Sequence, residues 1–143
     1  MNCRPNKSPG LRPGLCAPPT ELEPVTLCFV FTEDALHAAV GSPEVMHGQR
    51  AHVLRLIDDN GAIVQVLPHG VYQNPELGGG FTVFGFGDKG GPVGFSNVVF
   101  GPSTYYHDQS DTEIMLRGFD HLCELALSLE ESRELIEKTL ESS

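Results

Sequence analysis

The stretch from residue 62 to residue 101 constrains the fold most, because short β-type runs alternate there with turn-forming residues. The runs are rich in β-branched and aromatic residues and occupy residues 62–68, 81–87 and 93–100. Glycine, proline and asparagine dominate the stretches between the runs, which is typical of turns. The pattern predicts a small antiparallel meander on which the rest of the chain packs.

Further strands and helices flank this stretch. A fourth strand, buried on both faces, is predicted over residues 26–33, where β-branched and aromatic residues are dense. Residues 103–106, Ser-Thr-Tyr-Tyr, predict a short edge strand. Four helices are predicted, at residues 34–40, at residues 43–58, from residue 108 onward and from residue 128 onward.

Local signals set the helix boundaries. Ser42 is a favourable N-cap with Pro43 in the first helical position, and Asp58-Asp59-Asn60-Gly61 ends that helix. Ser128-Leu-Glu-Glu131 matches a capping box. Helical spacing predicts two buried stripes, one of Val45, Met46, Gln49, Val53, Leu56 and Ile57, the other of Ile114, Met115, Phe119, Leu122, Cys123 and Ala126.

The expected fold class is therefore α+β, with an antiparallel or mixed sheet of four to five strands packed against three to four helices. A chain of 143 residues suits one domain with a hydrophobic core, which we expect over residues 25–143. Residues 1–24 are rich in proline and lack apolar periodicity, which predicts a flexible arm. This arm is too short for a helix-turn-helix domain of about 60 residues.

Charge and apolar runs exclude several classes of partner. The chain has 19 Asp and Glu against 9 Lys and Arg, which disfavours direct binding to nucleic acid. It has no apolar run near the ~20 residues of a membrane span, and its start lacks the apolar centre of a secretory signal. Four cysteines without CxxC spacing encode neither a zinc knuckle nor a disulfide framework. We expect a cytoplasmic protein.

Several blocks of residues resemble a known family. They are Phe29-Val-Phe-Thr-Glu33 with Ala35 and Leu36, Val40-Gly-Ser-Pro-Glu-Val-Met46 with Gln49 and His52, Val64-Gln-Val-Leu-Pro68, Phe81, and Phe119-x-x-Leu122 leading into Ala126-Leu-Ser128 with Glu131, Ser132 and Ile136. In this order, over about residues 26–140, they resemble DUF5753, the actinobacterial domain of unknown function that follows a helix-turn-helix in WhiJ-like, Xre-type regulators. The resemblance implies a C-terminal regulatory domain.

Two departures from the family bear on function. Full-length regulators of the family carry a DNA-binding domain upstream, whereas here only the proline-rich arm precedes the domain. The family often has Tyr-x-Glu where this chain has Phe95-Ser-Asn97, and an amide bears no charge. The expectation is a stand-alone module with an altered ligand contact at Asn97.

Known cofactor-binding and metal-binding motifs lack the structural context or the spacing that they require in this sequence. Residues 85–90 match G-x-G-x-x-G, but another strand follows instead of the helix that a dinucleotide loop needs. His47 and His52 are five residues apart and fall on different helix faces, unlike a zinc pair at i, i+4. The polar cluster around His107 and Asp108 is typical of helix capping. We expect no cofactor and no metal.

Three residues are candidates for acid/base catalysis. Glu33 lies at a strand end, His37 follows one helical turn later, and His69 comes just after another strand. They converge only if these strand ends share one edge of the sheet. Otherwise Glu33 caps a helix and His69 is a loop residue.

A second set of residues is a candidate for ligand binding. The long, glycine-ending stretch 69–80 predicts a mobile lid. Aromatic residues follow it in number, and a concave apolar surface with a few polar groups is the usual form of a small-molecule pocket. The predicted ligand contacts are Tyr72, Phe81, Phe95, Asn97, Tyr105 and Tyr106.

Three functions are compatible with these features. The preferred hypothesis is a stand-alone effector-binding module that takes a small organic molecule or a partner protein. The alternative is a cofactor-independent enzyme of specialised metabolism, such as a cyclase, isomerase or lyase, that uses Glu33, His37 and His69. The third is a regulator that acts by dimerising with a full-length relative, and a homodimer is also left open.

Overall fold

The computed structural model describes residues 24–71, 79–98 and 100–142, in two compact units. Of the described residues, those up to 70 and from 126 onward form unit 1, and those from 71 to 125 form unit 2. The predicted arm over residues 1–24 lies almost wholly outside the described residues, and the single domain over residues 25–143 stays a prediction. None of the described helices has the length and apolar character needed to span a membrane.

Unit 1 is a strand–helix–helix–strand segment completed by the last helix of the chain. Its elements are β1 (Cys28–Thr32), α1 (Glu33–His37), α2 (Pro43–Asp58), β2 (Ile63–Leu67) and α4 (Leu129–Glu141). β1 and β2 pair in parallel, from Cys28 opposite Ile63 to Thr32 opposite Leu67. Parallel pairing follows because the chain must cross over through α1 and α2 before it can return to the sheet.

The second edge of β2 is occupied by the segment that leads into α4. The Val66 N–H donates to the Ser132 hydroxyl at 3.0 Å, and the Val66 carbonyl accepts from the Leu127 N–H at 2.9 Å. The Gln65 side chain donates to the Leu127 carbonyl at 2.8 Å. These bonds satisfy the backbone groups of β2 that point away from β1.

The prediction of one four- to five-stranded sheet is therefore wrong, although the α+β class is confirmed. Among the described residues, the strands form a parallel pair, β1–β2, and a three-stranded antiparallel sheet. The run at residues 62–68 does not join the meander, because β1 covers one of its edges and the α4 segment covers the other. The four predicted α-helices are confirmed.

The core of unit 1 lies between its two strands and its helices. It comprises Leu36, Leu54, Ala62, Val64, Val66 and Ile136, with Phe31 packed against it. Val66 and Ile136 are fully buried. Burial of each aliphatic side chain of this size contributes about 1.5–3 kcal/mol. On β1, which was predicted to be buried on both faces, Phe29 is 49% exposed.

Local helix signals act as predicted. The Ser42 hydroxyl accepts from the Val45 N–H, with Pro43 at the start of α2. Beyond α2, Asn60 adopts φ +54°, and the N–H groups of Asn60 and Gly61 donate to the last-turn carbonyls, which is a Schellman ending. Ser128 and Glu131 form the reciprocal capping box of α4.

The predicted helical stripes are confirmed in part. In α2, Val53, Leu56 and Ile57 pack against the core beside the buried Leu54, whereas Val45 is 51% exposed. In the third helix, Leu122 and Cys123 are buried, but Ile114 is 60% exposed. Val45 and Ile114 lie outside the buried face because packing partners decide how far along a helix the stripe extends.

Unit 2 consists of an antiparallel sheet and one helix. Its elements are β3 (Phe81–Phe84), β4 (Val93–Ser96), β5 (Thr104–Tyr106) and α3 (Gln109–Leu125). The strands run in the order β3–β4–β5, and the glycine-rich residues between β3 and β4 form a turn with a short 3₁₀ segment, Gly87–Lys89. The predicted edge strand is confirmed, and a strand follows the glycine-rich residues as predicted.

α3 packs on one face of this sheet. Met115 of α3 fills the space that a β-carbon at Gly94 would need, and the Phe81 ring lies 3.7 Å from the β-carbon position of Gly118. Side chains that are paired across antiparallel strands share a face, so the register assigns Thr82, Phe95 and Tyr105 to the other side. α3 therefore covers only one face of the sheet among the described residues of unit 2.

Candidate functional site

The parallel pairing in unit 1 brings two predicted catalytic residues together. Thr32 and Leu67 are the last paired residues of β1 and β2, so both strands end at the same edge. Glu33 and His69 follow immediately after these ends. The condition under which the three acid/base candidates converge is thus met, and polar groups beyond the carboxyl ends of parallel strands are a common position for sites.

Glu33 is held by the backbone of His69. Its Oε2 accepts from the His69 N–H at 2.9 Å, and its Oε1 lies 3.7 Å from the Nε2 of the same histidine. The Glu33 side chain is only 18% exposed, whereas the His69 side chain is 54% exposed. One carboxylate oxygen is therefore fixed while the other faces an imidazole that solvent can reach.

His37 completes the cluster from the other end of α1. Glu33 and His37 are four residues apart, which places both on one face of the helix. The His37 and His69 rings stack with centroids 6.1 Å apart and planes 22° apart. One ligand atom each of Glu33, His37 and His69 lies within 4.8 Å of the other two. We call these three residues the edge cluster.

Asp34 also contacts the edge cluster, and sequence reasoning missed it. Its Oδ1 lies 3.2 Å from the Nδ1 of His69, and its side chain is 81% exposed. The only sequence signal is its position next to Glu33 in the first helical turn, where acidic residues are common for electrostatic reasons alone. The contact depends on the placement of His69, which is distant in sequence.

The predicted ligand residues do not share one surface. The Phe95 and Tyr105 rings pair on the open face of unit 2, with centroids 5.0 Å apart and planes 54° apart. Phe81 and Tyr106 lie on the opposite face with α3, where the Tyr106 hydroxyl is 3.3 Å from that of Ser96.

The remaining two predicted ligand residues lie apart from the strands. The exposed Asn97 side chain accepts a hydrogen bond of 2.8 Å from the Ser103 hydroxyl. Tyr72 and most of the predicted lid fall in residues 72–78, outside the described residues. Their roles in ligand binding stay predictions.

The open face also holds two residues that are not among the predicted ligand contacts. Thr82 pairs with Phe95 across β3 and β4, and Phe84 pairs with Val93 on the same side. Phe84 is 48% exposed and Tyr105 is 60% exposed. Alternation along β3 was the available signal, but it identifies a face only once the partner strand and the covering helix are known.

Comparison with known proteins assigns the chain to a family. The model of the family described as a domain of unknown function, DUF5753, matches residues 19–138. No curated protein and no solved structure matches the chain significantly. Because the family match covers well over half of the sequence, the chain belongs to the DUF5753 family.

Proposed function

We propose that this DUF5753 domain is a regulatory module that binds a small organic effector on the open face of its three-stranded sheet. The observation that carries the proposal is the aromatic pair of the partly buried Phe95 and the exposed Tyr105, with the exposed Phe84 on the same face. Adjacent exposed aromatic side chains are unfavourable in water and often mark binding surfaces. α3 covers only the other face of this sheet.

The size of this surface bounds the affinity it supplies. Covering about 100 Å² of each of the exposed Phe84 and Tyr105 rings contributes roughly 5 kcal/mol at 25 cal/mol per Å². That value is close to the binding free energy of a millimolar complex. Tighter binding therefore requires polar contacts, for which the Tyr105 hydroxyl and the Thr82 hydroxyl are available on the same face.

Shape and charge define the class of ligand. Two tilted rings side by side favour a flat, conjugated molecule that stacks on one ring and meets the edge of the other. The chain has a net charge of −10, which repels anions and favours a neutral or cationic ligand. In this proposal, such an effector controls a helix-turn-helix regulator of the Xre type, as the family resemblance implies.

Tyrosine fluorescence tests the proposal directly, because the chain has no tryptophan and three tyrosines. We expect a screen of flat, neutral or cationic organic molecules to yield binders that quench this fluorescence and raise the melting temperature. Phe95→Ala is expected to weaken such binding at least about tenfold while retaining the fluorescent Tyr105. Phe100→Ala is the matched control, since Phe100 is 92% exposed and lies outside the strands.

Two results would contradict the effector proposal. One is a screen in which no small molecule binds while a protein partner co-purifies, which would favour docking to another regulator. The other is a binder whose affinity is equal in the wild type and in Phe95→Ala, which would place the ligand elsewhere on the molecule.

A second function, a metal-free acid/base enzyme, is favoured by the convergence of the edge cluster. A carboxylate and two imidazoles in reach of one another are able to accept and donate protons for a cyclase, isomerase or lyase reaction. Such an enzyme would consume its substrate, and Glu33→Gln and His69→Ala would each lower kcat. Turnover that is unchanged in both variants would remove the edge cluster from the mechanism.

A further inference from the structure

We propose that the edge cluster is a binding site for a divalent transition-metal ion, with Glu33, His37 and His69 as ligands. These side chains supply one carboxylate and two imidazoles, and one donor atom of each lies within 4.8 Å of the other two. In the part of the chain that the structure describes, no other group of three His, Cys, Asp or Glu donors lies this close. The inference is independent of the aromatic face.

The donors are close enough to reach one ion. A tetrahedral zinc ion with bonds of about 2.0–2.1 Å requires its ligand atoms to be about 3.3 Å apart. Donor atoms within 4.8 Å of one another therefore need to approach by at most about 1.5 Å. His37 and His69 are exposed, so their rings can turn inward by side-chain rotation alone.

Hydrogen bonds around the cluster orient two of the three ligands. The Glu33 Oε2 is engaged by the His69 N–H, which leaves Oε1 for an ion. The Asp34 Oδ1 lies 3.2 Å from the His69 Nδ1, which favours the proton on Nδ1 and leaves the Nε2 lone pair available. A carboxylate behind a metal-binding histidine is the usual outer support of such sites.

This arrangement also leaves two acceptors facing each other. With its proton on Nδ1, His69 directs the Nε2 lone pair toward the Glu33 Oε1 at 3.7 Å. Two lone pairs at this distance repel unless a proton or a metal ion lies between them. A metal ion bound to both atoms removes the repulsion and recruits the neighbouring His37.

The donor set favours particular ions. Imidazole suits zinc, copper, iron and nickel, whereas magnesium and calcium prefer sites built only from oxygen. Three protein ligands at a solvent-exposed edge leave at least one coordination position for water or an external ligand. Zinc occupancy and metal-free acid/base catalysis are competing uses of the same side chains.

Isothermal titration with zinc chloride tests the site on the full chain, after chelator treatment and under reducing conditions. We expect one zinc per chain. His37→Ala and His69→Ala should each weaken binding by more than about 100-fold. Asp34→Asn should weaken it by about 10- to 100-fold, as expected for an outer support. His52→Ala is the matched control, because His52 is exposed on α2 and distant from the cluster in sequence.

The absorption spectrum with cobalt(II) distinguishes the edge cluster from a site with cysteine ligands. Binding at the edge cluster is expected without a thiolate charge-transfer band, since its donors are nitrogen and oxygen. Circular dichroism verifies that each variant is folded, and Glu33→Gln serves if an alanine variant fails to fold, because it keeps an acceptor for the His69 N–H. It is expected to weaken zinc binding at least about tenfold.

Three outcomes would overturn the proposal. The first is the absence of zinc binding at millimolar metal. The second is binding of equal strength in the wild type and in the His37→Ala and His69→Ala variants. The third is a thiolate band with cobalt, which would assign the metal to cysteines. None of these outcomes bears on effector binding at Phe95, so the two proposals fail separately.

Discussion

Removal of the Ser132 hydroxyl should destabilise unit 1 more than any exposed serine substitution. Ser132 is fully buried, and its Oγ accepts from the Val66 N–H at 3.0 Å and donates to the Leu127 carbonyl at 3.3 Å. The change Ser132→Ala deletes both bonds and little volume. The change in the free energy of unfolding therefore measures the contribution of these hydrogen bonds at the edge of β2 that faces away from β1.

The magnitude follows from which groups lose a partner. The Leu127 carbonyl keeps the 2.8 Å bond from the Gln65 side chain, so it remains satisfied. The Val66 N–H loses its acceptor at a residue with no exposed surface, so water cannot replace it. An unsatisfied buried backbone group costs about 1–3 kcal/mol, and we expect Ser132→Ala to lower the free energy of unfolding by this amount.

Urea unfolding at neutral pH, followed by circular dichroism, provides the measurement. The transition midpoint should fall with an unchanged slope, and the melting temperature should fall by roughly 3 °C or more. Ser110→Ala, at an exposed position of α3, is the matched control and should stay within about 0.5 kcal/mol of the wild type. If Ser132→Ala lowers the free energy of unfolding by less than about 0.5 kcal/mol, the hydroxyl is not an important hydrogen-bond acceptor for the edge of β2.

Three further predictions concern caps, charge and packing. Ser128→Ala should lower the unfolding free energy by about 1 kcal/mol in urea titration and Ser128→Gly by only a few tenths, because the capping box of α4 loses its acceptor. The hydrogen bond from Arg133 lowers the pKa of Asp58, so this pair stabilises the fold above the usual carboxyl pKa and ceases to do so as pH falls through the lowered value. Asp58→Asn should therefore be less stable than the wild type at pH 7, with the difference vanishing near about pH 2; an equal difference at both pH values would contradict the pairing. Gly94→Val should cost about 1–3 kcal/mol by thermal or urea unfolding, because its side chain would enter the space of the Met115 side chain and of the Tyr106 β-carbon, whereas Gly91→Ala, with open space around it, should be near neutral.

Local interactions explain which parts of the fold the sequence predicts well. The start of α2 at Ser42 and Pro43 and the start of α4 at Ser128 require only residues three or four positions apart. Hydrogen bonds within such short segments form in any tertiary context, so their residue pattern is sufficient. The antiparallel pairing of β3 with β4 was likewise accessible, because the short glycine-rich connection between them leaves few alternatives.

Pairing between distant strands was predicted incorrectly for the same physical reason. β2 follows a helix and precedes the meander, so its neighbours in sequence suggested that it belongs to the meander. Its partner is instead β1, with two helices between them, and its second edge is taken by Leu127 and Ser132 from the end of the chain. Edge hydrogen bonds are alike for all strands, and the choice among partners depends on which helices bury the shared face.

The two candidate sites differ in how much of each can be predicted from the sequence. The sequence by itself determined the chemistry of Glu33 and His37 and their common helix face, because a spacing of four residues is one helical turn. It also determined that aromatic residues are frequent in β3, β4 and β5. Only the tertiary structure decided that His69 and Asp34 meet at this edge, and that Phe95 and Tyr105 lie on the face away from α3. The physical reason is that the sequence of a strand or helix determines which of its residues share a face. Which faces come into contact depends on strand pairing and helix packing between segments that are distant in sequence.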